Sequence, residues 1–462
     1  MPVSAHPHSA RQRRYAVAGT GARAAAYVDG LLGDHARYGA IVAWCEPNPA
    51  RASFYNARLA ASGMQEVPTY RPENYEDMIA SERVDTVIVT SPDDTHADLT
   101  ARALDAGARV VLEKPVATTA AGCRQIASAL ERTGGQLSVT FNYRYAPRNV
   151  ALKRIVASGV IGTVTAIHFE WMLDTIHGAD YFRRWHRDKD RSGGLLIQKA
   201  SHHFDLVNWW LEDAPQTVFA RGALRFYGDA GAGKAASETA RPERGTPGEP
   251  GGPLPDSPPD PYLLDLTADE TSRLLYLEGE RHDGYRRDAD VFGPGITIED
   301  TMSAMVGYQG GATLTYSLVA YAPWEGYRVS ITGTKGRAEL EVVERAASPA
   351  GPDSAVGSPS QSRPAHRANA PGTNARRAGH RLVVQGLWEE AREVAVDDGD
   401  GDHGGGDAAM LDDLFDGTRD DPLAQRAGWR DGLLAVAVGL AANRSMQSGM
   451  PVRINELTIG EI

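Results

Sequence analysis

Apolar runs at residues 15–19 (YAVAG), 41–46 (IVAWCE), 84–90 (VDTVIVT), 109–115 (RVVLEKP) and 136–141 (QLSVTF) alternate with other stretches. In those, RAAAYVDGLL, ARASFYNARLAAS, HADLTARALDAG and AGCRQIASALERTG, apolar residues recur at helical spacing. Strands separated by helices in this way predict a doubly wound parallel sheet with right-handed crossovers. After Phe141 the apolar period drops to two, in TVTAIHFEWML (residues 163–173), TVFARGALRFYG, TIEDTMSAMVGYQ, ATLTYSLVAY and RAELEVVER. That alternation predicts a large, mainly antiparallel open sheet. The expected fold class is therefore an α/β domain over residues 15–141, after a disordered tail at 1–14, and an α+β domain over 142–462. Residues 228–261 and 347–380 follow neither period. They are rich in Gly, Pro, Ala and Ser, bury too little apolar surface to offset chain entropy, and are expected to be mobile insertions.

At 462 residues the chain exceeds one typical core, which agrees with two domains. Lys and Arg number 48 against 60 Asp and Glu, a net charge of −12, so nucleic acid and anionic membrane surfaces are not expected partners. Two cysteines, Cys45 and Cys123, argue against a disulfide framework and a cysteine-ligated metal. The opening stretch MPVSAHPHSARQRR carries charge without an apolar core behind it. Arg13-Arg14 resembles a twin-arginine signal, but the apolar residues that follow stop at a glycine turn and read better as a first strand. A reduced, cytoplasmic enzyme is the expectation.

GTGARA (residues 19–24) closes the first strand and opens a helix. Gly19 permits the tight turn, Gly21 lets the backbone approach a pyrophosphate, and Ala24 takes the third glycine's place against the sheet. The free amides at that helix N-terminus suit phosphates. Glu46, at the end of the second strand, is placed to accept hydrogen bonds from ribose hydroxyls and to repel a 2′-phosphate. The pattern reads as a Rossmann dinucleotide site that prefers NAD over NADP.

In GGLLIQKASHHFDLVNWW (residues 193–210) five polar side chains interrupt an apolar run. Read as one helix, Gln198, His202 and Asp205 share a face, and Lys199 and His203 lie on its neighbour. A zinc site from His202 and His203 is disfavoured, because adjacent helical residues point about 100° apart. No metal is expected.

SPDDTHADLTARALDAGARVVLEKPVATT (residues 91–119), FNYRYAP (141–147) and the GG…HHFD pattern resemble the glucose–fructose oxidoreductase and inositol dehydrogenase family, Gfo/Idh/MocA. The resemblance covers nearly all of the chain outside the two insertions. It implies an oxidoreductase with Lys114 and His202 as catalytic residues, Lys114 reaching the reacting hydroxyl and His202 taking its proton. Implied cofactor contacts are Gly19, Thr20, Gly21, Ala22, Arg23, Glu46, Ser91, His96, Glu113, Lys114 and Asn142. Arg144 is a further candidate at the domain junction. Candidate substrate contacts are Tyr181, Arg184, Trp185 and His186 from a polar, aromatic loop at 172–194, with Gln198, Lys199, His203 and His403. Asp407 reads as a helix N-cap after the His-Gly-Gly segment. One departure stands out, since many relatives carry aspartate where this chain has Gln198. The leading expectation is hydride transfer between NAD and a secondary hydroxyl of a sugar, cyclitol or glycoside. The alternative is an NAD-recycling glycoside hydrolase. By analogy a homodimer or homotetramer would form through the open sheet.

Overall fold

A computed structural model describes residues 12–233, 262–348, 376–397, 399 and 402–460. The tail up to residue 11 and most of both expected insertions (234–261 and 349–375) lie outside the described residues. Strand β1 (Arg13–Ala18) starts two residues before the expected tail ends and takes Arg13-Arg14 into the sheet. β2 (Gly39–Cys45), β3 (Thr69–Tyr70), β4 (Thr86–Val89), β5 (Arg109–Leu112) and β6 (Leu137–Val139) join it in the order 3-2-1-4-5-6, all parallel. Local chemistry sets the crossovers. Asn48 caps the helix Pro49–Ala61 by accepting from the Ala50 amide, and proline at the first helical position needs no donor there. Thr119 caps the helix Ala120–Thr133, which ends at Gly134 in the left-handed region.

Among the described residues the second sheet has nine strands. They are β7 (Val164–Asp174), β8 (Pro215–Ala223), β9 (Thr301–Tyr308), β10 (Thr313–Ala322), β11 (Glu325–Gly333), β12 (Gly336–Arg345), β13 (Gly379–Gly386), β14 (Arg392–Val394) and β16 (Val452–Arg453). Their order is 14-13-12-11-7-10-9-8-16, and only the β7–β10 pair is parallel. β11 and β13 go beyond the strands expected from the sequence. β13 begins inside the stretch assigned to the second insertion, because its backbone pairs along β12 from Gly379 onward. Phe169, Trp171, Tyr316 and Tyr327 are buried on the inner face, in the same apolar core as Phe204, Val207 and Trp210 of the helix Ser201–Leu211.

The late part of the chain returns to the first domain. β15 (Ala427–Gly428) adds an antiparallel seventh strand to β6. Leu275, Met410, Leu411 and Phe415 complete a core with Tyr15, Val17, Tyr27, Trp44 and Ile88. Residue 141 is thus a crossing point of the chain, while the packing continues across it. Cys45 and Cys123 are buried free thiols. Among the described residues no helix is long and apolar enough to cross a membrane.

Candidate active site

The glycine loop lies at the C-terminal ends of β1 and β4, where strand order reverses and crevices form in such sheets. Gly19 has φ +88°, and a Cβ there would meet the Ser91 backbone at 2.4 Å, so glycine is required. Thr20 is fully buried, and its amide (2.8 Å) and hydroxyl (3.0 Å) both donate to Glu46 Oε2. The Asn48 amide donates to Glu46 Oε1 at 2.9 Å. Glu46 is therefore a fixed, buried carboxylate bracing the loop. The Ala22 amide donates to the Tyr276 hydroxyl at 3.1 Å, a partner 254 residues away.

β5 ends in Glu113-Lys114-Pro115, whose Lys-Pro peptide is cis. Burial alone would raise the Glu113 pKa, but the Arg23 guanidinium and hydrogen bonds from Tyr27 and Arg23 hold it below the usual carboxylate range. Arg23 also pairs with Asp407 (3.0 Å), and Asn142 Nδ2 donates to the same oxygen at 2.9 Å. Asp407 thus ties the two halves together. The N-cap expected of it falls to Gly405 instead. A Cβ at Gly406 would meet the Asn142 carbonyl at 2.3 Å, so the glycine segment packs closely beneath this junction. The side chain of His403 lies outside the described residues. His96 contacts the carbonyls of Pro115 (2.7 Å) and Ser91 (3.0 Å), pinning the loops after β4 and β5 to each other. Ser91 Oγ is taken up by Thr95.

Residues 193–210 do not form one helix. A short turn, Leu195–Gln198, stops at Lys199, and a new helix starts at Ser201. The face shared by Gln198, His202 and Asp205 in a continuous helix therefore does not exist. At the break, Lys114 Nζ donates to the Gln198 carbonyl at 2.9 Å, joining the two domains at one ammonium. Burial lowers the Lys114 pKa while Asp93 and Glu113 oppose it. His202, in the first turn, lies 4.7 Å from the Tyr143 ring and 5.9 Å from Phe141. Asp205 makes a bidentate bond with Arg144, both side chains almost wholly buried, so this pair anchors the helix to the domain junction. Lys199 is buried over the Trp171 ring at 4.9 Å, and burial pushes its ammonium down to about 8.

His203 belongs to the core. Its ring stacks on Trp171 at 4.0 Å and its Nδ1 meets the Tyr316 hydroxyl at 2.7 Å. His203→Ala will destabilise the fold by about 2–4 kcal/mol, through a cavity and an unpaired Tyr316 hydroxyl. Urea denaturation checks this, and the variant is no neutral control for its neighbour.

The stretch 172–194 opens on the last residues of β7 and is helical over most of the rest. Asp174 caps Thr175–Arg183 through the Ile176 and His177 amides, and Trp185–Arg187 and Lys189–Ser192 follow. This brings together a chain of groups. Tyr181 OH lies 3.4 Å from His177 Nε2, and His177 Nδ1 lies 2.7 Å from Glu325 Oε1. Burial pushes Glu325 up to about 7 against the pull of Lys199, and burial with the Lys199 charge holds His177 well below its usual value. Arg184 pairs with Asp180 at 2.9 Å and lies over the Tyr181 ring. His186 packs edge-on to Tyr181 at 5.7 Å and stacks on Trp185. Burial, then the Arg184 and Lys114 charges, keep His186 neutral. Asp93, near Lys114 and Arg184, is raised by burial. Asp93 Oδ2, Gln198 Oε1, His186 Nδ1 and Asn142 Oδ1 are all buried without a hydrogen-bond partner, an excess of polar capacity along the domain junction. His177, Glu325, Asp93 and Tyr276 go beyond the residues singled out from the sequence. His177 lies within the 172–194 stretch, whereas Glu325 and Tyr276 reach the site only through long-range packing.

Residues 13–141 match the model of an oxidoreductase family described as NAD-binding Rossmann fold, and residues 153–454 match its C-terminal alpha/beta domain. A putative oxidoreductase, YteT, of Bacillus subtilis (strain 168) is 34% identical over 409 residues, 85% of this chain and 86% of that protein. An inositol 2-dehydrogenase of Rubrobacter xylanophilus is 34% identical over 152 residues, 32% of this chain and 40% of its own. The crystal structure of aldose-aldose oxidoreductase from Caulobacter crescentus, complexed with glycerol, has TM-score 0.59 at 17% identity and covers 96% of this chain and 100% of its own. The WlbA dehydrogenase from Bordetella pertussis, in complex with NADH and UDP-GlcNAcA, has TM-score 0.59 at 18% identity, covering 96% and 99%. At these identities the two structures speak for the fold.

Proposed function

Because the chain belongs to the Gfo/Idh/MocA family of oxidoreductases, we propose that it moves hydride between a nicotinamide cofactor, NAD in preference to NADP, and a secondary hydroxyl of a sugar or cyclitol. The observation that carries this reading is the Lys114 ammonium, bonded across the domain seam to the Gln198 carbonyl. The residues fit such a cofactor. Nothing stands closer than 3.9 Å to a Cβ built at Gly21, which leaves the loop approachable, and the unpartnered Asn142 Oδ1 belongs to a side chain linked to the loop through Asp407 and Arg23. The relatives that act on inositol and aldoses support the substrate class, whereas nothing in the comparisons supports the hydrolase alternative.

When bound, the nicotinamide supplies a hydride acceptor or donor. Lys114 stabilises the negative charge that grows on the substrate oxygen as its carbon loses hydride. The hydroxyl proton has a route that needs no aspartate at 198. Tyr181 takes it and passes its own phenolic proton to His177 Nε2, whose Nδ1 proton moves on to Glu325, raised by burial to about 7, so the imidazole relays the proton and the carboxylate keeps it. His202 lines the same seam and is the second candidate base. A screen of cyclitols, aldoses and uronic acids with NAD and NADP tests the proposal, with NADH formation on at least one polyol as the supporting result. Absence of reduction on every polyol, with cofactor shown to bind, refutes it.

Glu46 accounts for the expected cofactor preference, since a fixed buried carboxylate repels a 2′-phosphate. Glu46→Gln keeps the size and removes the charge. We expect the ratio of NADP to NAD dissociation constants to fall by about tenfold, a change of about 1.4 kcal/mol. Equilibrium titration of both cofactors provides the check.

A further inference from the structure

The glycine loop has a neighbour that neither the family description nor the proposed chemistry uses. Glu270–Ser272 begins a short helix that widens into a π-turn at Arg273–Leu277, and a second short helix runs over Glu280–Asp283. π-turns are uncommon and often mark functional positions. Here the turn carries Tyr276 to the Ala22 amide. The rest of the segment is tied down on the same crevice. Asn48 Nδ2 donates to the Gly279 carbonyl (3.0 Å) and to Asp283 (2.8 Å), and Arg51 pairs with Asp283 at 2.7 Å. Arg51 Nε also donates to the Leu275 carbonyl at 3.2 Å. At the far end Arg287 pairs with Asp180, the carboxylate that holds Arg184.

The placement is specific. Asn48 and Arg51 follow Glu46, the carboxylate assigned to the ribose, and Ala22 is in the loop assigned to the pyrophosphate. An amide has one proton, and that of Ala22 is spent on the Tyr276 hydroxyl. A pyrophosphate oxygen can accept from Ala22 only after the phenol has moved. A Cβ at Gly21 would meet nothing but that hydroxyl, at 3.9 Å, so no other group obstructs the loop there.

We infer that residues 270–287 are a latch on the dinucleotide site, with Tyr276 as its bolt on the pyrophosphate amide and Asp283 as its clasp on Asn48 and Arg51. The latch lifts to admit the cofactor and again to release it. Because its far end holds Asp180 and Arg184, cofactor exchange is coupled to the substrate side of the seam. The inference rests on the nicotinamide-nucleotide reading of the glycine loop, and it is independent of the substrate.

Stopped-flow mixing of the full-length protein with NADH and with NADPH tests it, reading nucleotide fluorescence. In Tyr276→Phe the association rate constant is expected to rise about five- to tenfold, the scale of one lost hydrogen bond, with dissociation little changed, because bound pyrophosphate has already displaced the phenol from Ala22. In Asp283→Asn, which loosens the clasp in both states, both rate constants are expected to rise by about that factor and the dissociation constant changes less than either. Rates within about twofold of wild type in both variants overturn the latch. So does a rise in dissociation alone, which would make Tyr276 a simple ligand of the cofactor. Melting curves accompany the kinetics. If Asp283→Asn is unstable, Tyr276→Phe, which keeps the packed ring, decides alone. Failure of the wild-type protein to bind either nucleotide overturns the cofactor reading itself, and the latch with it.

Discussion

Replacing Lys114 with alanine will lower turnover by at least about 10²-fold on any polyol the screen returns, the scale of a lost electrostatic or acid–base group. The loss should appear in kcat as well as kcat/KM, because the charge that Lys114 opposes develops only as the bond to hydrogen breaks. The ammonium is well prepared for this work. Its Nζ is held by the Gln198 carbonyl, an acceptor that fixes position without neutralising charge. Burial lowers its pKa, and Asp93 and Glu113 oppose that fall. His202→Ala separates the two bases: a loss of similar size with unchanged cofactor affinity would assign the proton to His202, which packs on Tyr143 within the second domain, and a small effect leaves it with the Tyr181–His177 relay. Steady-state kinetics with parallel NADH titrations separate the two effects. Turnover within tenfold of wild type in Lys114→Ala would remove the residue from the chemistry.

Arg144→Ala will be the most damaging change to stability, at about 3–5 kcal/mol, because it strands the Asp205 carboxylate in the interior. Asp205 is 1% exposed and receives two bonds from one guanidinium, which also reaches Asp431 at 2.9 Å and the Ala424 carbonyl at 3.1 Å. The sign of the pH dependence follows. Burial pushes the Asp205 carboxyl up and Arg144 pulls it down, so without Arg144 its folded pKa rises further above the unfolded value. The stranded charge then costs most at high pH, and the deficit shrinks as the pH falls and the carboxyl protonates. Denaturation curves for both proteins between pH 5 and 8 should diverge toward the alkaline end. A gap that is flat with pH would mean that Arg144 acts through packing alone.

Where cause and effect are close in sequence, the residues announced the structure. Each strand–helix unit of the first sheet is local, so apolar periodicity together with Gly19 at the first turn was enough to place it. The glycine loop, Glu46 and the Lys114 turn were legible for the same reason. The helix break at Lys199 was not, because the continuous apolar run of 193–210 carries no breaker between Gln198 and Ser201. The polar side chains at 198–205 also divide differently from the single-face reading: Gln198 and Lys199 belong to the seam, His203 to the core and Asp205 to an ion pair. The pairing of His177 with Glu325 spans 148 residues, and that of Ala22 with Tyr276 spans 254. No window of sequence contains both partners, so only the folded chain brings these groups together.

The return of the chain to its first sheet has a consequence for how the molecule can be taken apart. A fragment ending at residue 141 would leave β6 as a bare edge where β15 now pairs, and would lack Leu275, Met410, Leu411 and Phe415 from its interior. Exposed edges of that kind recruit other chains. The two halves are therefore expected to melt as one cooperative unit, and a nucleotide that binds the first should raise the melting temperature of both. Chimeras that exchange substrate domains between relatives must exchange these returning segments with them, or supply a replacement strand and four apolar side chains from the new partner.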